Sequence, residues 1–380
     1  MQISQLKYTT LTGWQVLSNG IENNKAQVVF VFGSTELVKN NIGISEIKSM
    51  FPAAIITGCS TSGEIAETHV YDNTLIATAL FFEKTNIKFW CEPIEKADES
   101  SKIGKKIFDD LYANDLRHIL VFSEGLVING SELVEGLKNV FPQNVSITGG
   151  LAGDGADFKE TYVYDNGIAK NKIISAIGLY GDNIEIGYGS LGGWDSFGVE
   201  RLVTKSHKNI LFEMDGEPAL KIYKSFLGEH ADKLPASGLL FPLSVRTNDT
   251  SIPVVRTILG IDEKNQSLTF AGNIDEGSYV RLMKANFDRL IDGAVNAAKV
   301  TVSNSNLANP DLALCISCVG RKLVLKQMIE EEVEGVKEVL GKKTKIFGFY
   351  SYGEISPFNA SATCELHNQT MTITTFKELI

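Results

Sequence analysis

Apolar residues along the chain follow two spacings in turn. Short runs rich in branched and aromatic residues, VVFVFGS (Val28–Ser34), HILVFSEGL (His118–Leu126) and LALCISCVG (Leu312–Gly320), have the length and composition of buried strands. After each comes a stretch in which apolar residues recur every three or four positions, as on an amphipathic helix: ELVKNNIGISEIKSMF, SELVEGLKNVF and EEEVEGVKEVL. A second apolar run then closes the segment in a glycine-bounded loop, AAIITGCSTSGEI, VSITGGLAGDG or KIFGFYSYGEI. One strand–helix–strand unit is thus written three times, with the middle ending the most eroded. Between the units lie antiparallel-looking stretches: TLIATALFF, IKFWCEPI, NIEIGYGSL, and TYVYDNGIAKNKIISAIGLYG with Asp165-Asn166-Gly167 as a hairpin turn. The pattern predicts an α/β fold with mixed sheets, built from repeated βα units and antiparallel hairpins. Further helices are expected at Glu99–Leu111, Glu217–Phe226 and Asn286–Lys299. A strand-rich half gives way to a helix near Met214-Asp215-Gly216, which predicts two domains, 1–215 and 216–380.

Composition narrows the function. At 380 residues, the length suits two domains, and 43% apolar with 22% charged residues is the balance of a soluble globular protein. No run approaches the roughly 18 apolar residues of a membrane span. The start, MQISQLKYTTLTGW, lacks the basic head and apolar stretch of a secretion signal, so a cytoplasmic location is expected. A net charge of −10 disfavours nucleic acid as a partner. Five cysteines, an odd and sparse set, read as free thiols in a reducing compartment.

The repeated ending carries the candidate chemistry. A glycine-bounded loop at a strand end lets a ligand approach the backbone, and Glu64, Asp154 or Glu354 stands at the loop's close. Convergence of the loops would bring these carboxylates to one pocket, with Cys59, Ser60, Ser62 and Gly63 from the first loop, Gly150 from the second, and Tyr350 and Tyr352 from the third. Like charges so close raise a pKa or require a cationic partner. Taken singly, each loop is equally explained by turn geometry, with its acid capping the next element. Arg256, in VVRTILG, and Arg321, in CVGR, are candidates to hold a ligand carboxylate, or else to pair with the motif acids. Cys315 and Cys318 spell CxxC, but three positions apart on a strand they face opposite ways, which argues against a metal. Cys59 has no neighbouring base in sequence, and no serine elbow or triad order is legible, so catalysis is not expected. A hydrolase or transferase using the same pocket is the alternative from another class.

The ordered set GCSTSGEI, GGLAGDG, YVYDNGI, GWDSFG, MDGEPALKIY, VRTILGID, FAGNIDEGSYVRLM, CVGR, GFYSYGEI and LHNQT, over roughly residues 25–375, resembles the FIST family, with its paired FIST N and FIST C domains. The resemblance implies a cytoplasmic sensory module that binds a small molecule, with an amino-acid-like metabolite favoured. No kinase or cyclase segment accompanies it here, so the output would pass to a separate partner such as a histidine kinase or a cyclic-di-nucleotide enzyme. Some stand-alone relatives of this length resemble haem-binding nitric-oxide sensors that regulate a histidine kinase, which is the alternative within sensing. For haem, the axial-ligand candidates are His367, His118 and His69, and the absence of CxxCH means it would be held without thioether links.

Overall fold

The structure, a computed structural model, describes residues 1–21, 25–305, 309–358 and 362–379. In each repeated unit a leading strand (Val28–Ser34, Leu116–Ser123, Leu312–Cys318) lies parallel to a glycine strand (Ile55–Thr61, Ser146–Leu151, Lys345–Ser351). Helices make the crossover: Thr35–Lys39 and Ile44–Met50 in the first unit, Gly130–Val140 in the second, Val319–Leu325 and Ile329–Leu340 in the third. On its other side the leading strand pairs antiparallel with a return strand (Leu75–Phe81, Ile173–Tyr180, Met371–Glu378). The return strand in turn pairs with an outer strand (Gln2–Thr9, Asn86–Pro93, Ile184–Leu191). The sheets are mixed and the architecture is α/β.

Between glycine strand and return strand each unit has a short hairpin, and none of the hairpins stays at home. Glu64–Ala66 with His69–Tyr71, from the first unit, joins the glycine strand of the third. Gly353–Pro357 with Cys364–His367, from the third, joins that of the second. Val163–Asp165 with Ile168–Lys170, from the second, joins that of the first. The three sheets are therefore laced into a ring by cyclic exchange, and residues on either side of position 215 share two of them. Their inner faces meet in one aromatic core, with Phe32 4.5 Å from Phe349 and 5.5 Å from Phe122, ring centre to ring centre.

One glycine of the motif is explained by the parallel pairing. Gly58, Gly149 and Gly348 lie opposite Val31, Val121 and Cys315, and a Cβ at any of them would overlap the partner's carbonyl oxygen. Only a residue without a side chain permits that approach.

Helices Ser100–Leu111 and Phe287–Ser305 cover the outside of the second and third units. In the first, Gly104 meets the backbone of Gly136 on the neighbouring helix; in the second, buried Ala294, Ala297 and Ala298 allow close packing. The stretch Asp195–Lys284 forms a smaller body: an antiparallel sheet packed against helix Ala219–Leu227, with its own core of Leu220, Tyr223, Leu268 and Phe270. Asp215 and Gly216, both at positive φ, are a turn within this sheet.

Candidate functional site

The three glycine loops converge, and they do so backbone to backbone. Ser62 N–H donates to Tyr350 O and Tyr350 N–H to Gly63 O, each at 2.8 Å; Gly153 N–H donates to Ser60 O (3.0 Å) and Tyr352 N–H to Leu151 O (3.2 Å). These bonds fill the junction and leave a cavity of about 300 Å³ on one side, between the first two loops. Ser62, Gly63 and Glu64 form one wall, Asp154 and Gly155 another, with Thr35, Glu36, Asp72 and Lys159 around the mouth.

Glu64 is 1% exposed. Thr61 Oγ1 donates to its Oε1 (2.6 Å), while Thr74 donates to Oε2 through Oγ1 (2.7 Å) and N–H (3.3 Å). Burial pushes the carboxyl up to about 7 against those hydrogen bonds and the Lys322 charge. Glu354 has the same surroundings in the third unit. Ser351 Oγ donates to its Oε1 (2.6 Å), Thr370 donates to Oε2 from Oγ1 (3.0 Å) and N–H (3.3 Å), and burial pushes the carboxyl up to about 8. In both units the acid thus ties its loop to the residue just before the return strand. Glu354 is wholly buried and lines none of the cavities described here.

Asp154 is not their equivalent in register. Glu64 and Glu354 stand six residues after Gly58 and Gly348, whereas Asp154 stands five after Gly149. Its carboxylate accepts backbone N–H groups from Phe158 (2.8 Å), Lys159 (2.7 Å) and Glu160 (2.9 Å), together with the Tyr352 hydroxyl. Tyr352 stacks on Phe158 at 4.6 Å, so the third loop braces the cavity wall from behind.

The remaining candidates separate. Ser62 Oγ accepts from Gly155 N–H at 3.1 Å and stands in the cavity wall. Ser60 Oγ accepts from Tyr162 N–H (3.0 Å), behind the wall with Cys59 and Gly150, all three buried. Burial pushes the Cys59 thiol well up, and among the described residues no lysine, arginine or histidine side chain hydrogen-bonds to the Cys59 thiol or to the hydroxyl of Ser60 or Ser62. Tyr350 turns away: its hydroxyl donates to Glu332 Oε1 (2.7 Å), and Arg321 donates to Glu332 Oε2 from Nε (3.1 Å) and Nη2 (2.6 Å) in a fully buried network. Arg321 pairs with this helix acid instead of a loop acid or a cavity. Arg256 lines a different cavity, between helix Gly130–Val140 and the smaller body.

Two functional neighbours were not anticipated from sequence. Lys322, from the third unit, donates to Ser62 O (2.8 Å) and pairs with Asp72, holding together two residues of the cavity lining. Thr74 was legible in principle, since Asp72-Asn73-Thr74 stands before its return strand as Asn368-Gln369-Thr370 does before its own.

The three histidines proposed as haem ligands lie apart from the cavities. Both ring nitrogens of buried His118 are engaged, by Ser146 Oγ (2.7 Å) and Thr148 Oγ1 (3.1 Å). His367 Nε2 donates to Ser356 O (2.7 Å) in a buried setting, and exposed His69 pairs with Glu330 (3.3 Å). None of the three lines a described cavity. Among the described residues no group of His, Cys, Asp and Glu is placed to hold a metal, and no helix is long and apolar enough to cross a membrane.

Comparison with known proteins gives three findings. Residues 27–217 match the FIST N domain and residues 219–357 the FIST C domain. The chain is 24% identical over 369 residues to an uncharacterized protein of Methanocaldococcus jannaschii, covering 86% of this chain and 69% of that one. A crystal structure of a cyanuric acid hydrolase from A. caulinodans aligns over 78% of this chain and all of its own, at 10% identity and a TM-score of 0.19, a likeness too slight to carry an inference.

Proposed function

The chain belongs to the FIST family, whose domains are sensory modules of signal transduction, and from that premise we propose that it senses an amino-acid-like metabolite in the cavity between its first two glycine loops. One observation carries the reading: Glu64 and Asp154, from separate repeats, line the same cavity, with Glu36 and Asp72 beside them and Lys159 at the mouth. Ammonium suits the acidic wall, a carboxylate suits Lys159, and the hydroxyls of Thr35 and Ser62 suit either. A ligand there touches loops that are hydrogen-bonded to the third unit, so occupancy biases how the three units sit together. That bias reaches a separate partner, such as a histidine kinase or a cyclic-di-nucleotide enzyme, only if the ligand prefers one arrangement.

The test is calorimetric titration with each of the proteinogenic amino acids. A saturable ligand whose binding is lost in Asp154→Ala and in Ser62→Trp, and which changes autophosphorylation of a reconstituted partner kinase, supports the reading. Absence of binding by every amino acid overturns it. Haem-based nitric-oxide sensing is not adopted, because none of the three histidines lines a described cavity and His118 has both ring nitrogens engaged. A hydrolase or transferase reading at this cavity would require a base at Cys59, Ser60 or Ser62, where the described side-chain hydrogen bonds supply none.

A further inference from the structure

A larger cavity lies elsewhere among the described residues. About 630 Å³ is enclosed between helix Gly130–Val140 of the second unit, the strands Leu243–Arg246 and Val254–Arg256 of the smaller body, and the segments flanking Cys364. At its floor is Arg256, 5% exposed. Its Nε donates to Asn273 O (3.2 Å) and its Nη1 to Leu366 O (2.8 Å) and Val255 O (3.4 Å), all of them uncharged acceptors. Nη2 makes no hydrogen bond, and the guanidinium has no ion pair, among the described residues. Burial lowers its pKa to about 10, which leaves it cationic at neutral pH. A buried charge without a counter-ion is costly to keep, and the contrast within this chain is direct: Arg321, equally buried, has Glu332 as its bidentate partner.

The surroundings narrow what completes Arg256. The other cation, Lys138, is already taken by Glu135 (2.9 Å) and Glu365 (3.1 Å), and Glu132 accepts from Asn273 Nδ2 (3.0 Å). Asp275 and Glu365 line the same space, and their charges favour the cationic form of Arg256, but neither forms an ion pair with it. One unpaired positive charge among several acids favours a ligand with a single negative charge and repels a dianion such as phosphate. Ser131, Thr247, Ser251 and Thr363 add hydroxyls, and Asp275 is an acceptor for a donor on the ligand. We infer that this cleft is a second ligand site, separate from the loop cavity, and that it takes a monocarboxylate with a hydroxyl-bearing body, its carboxylate paired with Arg256. The fork of Nη1 and Nη2 matches a planar carboxylate in a way a lysine would not.

The experiment titrates the whole chain with glycerate, gluconate and glucuronate, against inorganic phosphate, gluconamide and the amino acids, by calorimetry and thermal shift. Saturable binding by at least one hydroxy acid is expected, with gluconamide and phosphate at least tenfold weaker. Arg256→Gln abolishes it. Because that variant also frees backbone carbonyls, Thr247→Glu is the companion: it places a negative charge at the exposed rim, leaves the unliganded melting temperature unchanged, and weakens carboxylate binding at least tenfold. Asp154→Ala, which removes the acid wall of the loop cavity, leaves hydroxy-acid binding intact. No binding by any hydroxy acid, equal binding of phosphate or gluconamide, or binding that survives Arg256→Gln overturns the inference. Tighter binding of an amino acid that is lost in Thr247→Glu but kept in Asp154→Ala assigns this cleft to the amino acid and overturns both the hydroxy-acid class and the loop-cavity reading.

Discussion

Raising the pH from 6.5 to 8 should weaken the folded state, although most acidic proteins are level in that range. Glu64 and Glu354, pushed by burial from 4.5 to about 7 and about 8, keep their protons in the folded chain after the unfolded chain has released them. The unfolded state then binds fewer protons, so stability falls as pH rises, until each folded value is passed. His118 and His367 act in the opposite direction. Burial lowers them from 6.5 to about 3 and about 4, so the unfolded chain binds the extra protons below 6.5 and stability rises toward that pH. From about pH 4.5 to 6.5 the two carboxyls and the two imidazoles oppose each other, and the curve should be nearly level. Above 6.5 only the carboxyls remain, over about half a unit for Glu64 and one and a half for Glu354. At about 1.4 kcal/mol per unit, the loss by pH 8 is about 3 kcal/mol. Urea denaturation at constant ionic strength, at pH 5.5, 6.5, 7.25 and 8, measures it directly. In the double variant Glu64→Gln, Glu354→Gln the decline above 6.5 should vanish while the rise below it becomes visible. Stability that is level or rising from 6.5 to 8 in the parent chain, or a decline undiminished in the double variant, would refute the reasoning.

Other perturbations test the frame. Arg321→Met leaves Glu332 buried without its cation and should cost about 3–5 kcal/mol, while the paired change Arg321→Met, Glu332→Leu should recover much of it, both read by urea midpoint. Gly348→Ala forces a methyl group against Cys315 O and should cost about 3 kcal/mol or more, whereas Gly260→Ala, with only ordinary contacts, should stay within about 0.5 kcal/mol by thermal melting. Phe32→Ala opens the shared aromatic core and should cost about 3–5 kcal/mol, with fluorescence and circular dichroism transitions remaining coincident.

Much of the fold was legible because periodicity is local. The leading strands, the crossover helices and the Asp165-Asn166-Gly167 turn follow from residues adjacent in sequence, and helices Ser100–Leu111 and Phe287–Ser305 start within a residue of expectation. What escaped is partner choice. Nothing within Glu64–Ala66 states that it pairs with Phe347–Phe349 rather than with its own unit, since the hairpin is equally apolar toward either edge. The candidate site shows the same division. Glu64 and Asp154 were visible as motif acids, but the matching of Glu64 with Glu354 reflects a shared bond to Thr74 and Thr370, a contact over 10 to 16 residues. The one-residue offset of Asp154 is plain only in the register. Arg256 could be named as a cation in VVRTILG, whereas its burial without an ion pair depends on the loop at Asn273 and the strand at Leu366.

The cyclic exchange of hairpins also sets an order in time. During synthesis the hairpin of the first unit, Glu64–Tyr71, emerges long before its partner strand Lys345–Ser351, and the glycine strand of the second unit waits for Gly353–Pro357. Only Ile55–Thr61 gains its borrowed hairpin early, from Val163–Lys170. A nascent chain therefore holds open sheet edges until residues 345–357 have left the ribosome, and each such edge is a template for unwanted pairing. The ring closes in a single late step, so a chain stalled or cut before residue 345 is expected to need a chaperone rather than to persist as a folded half.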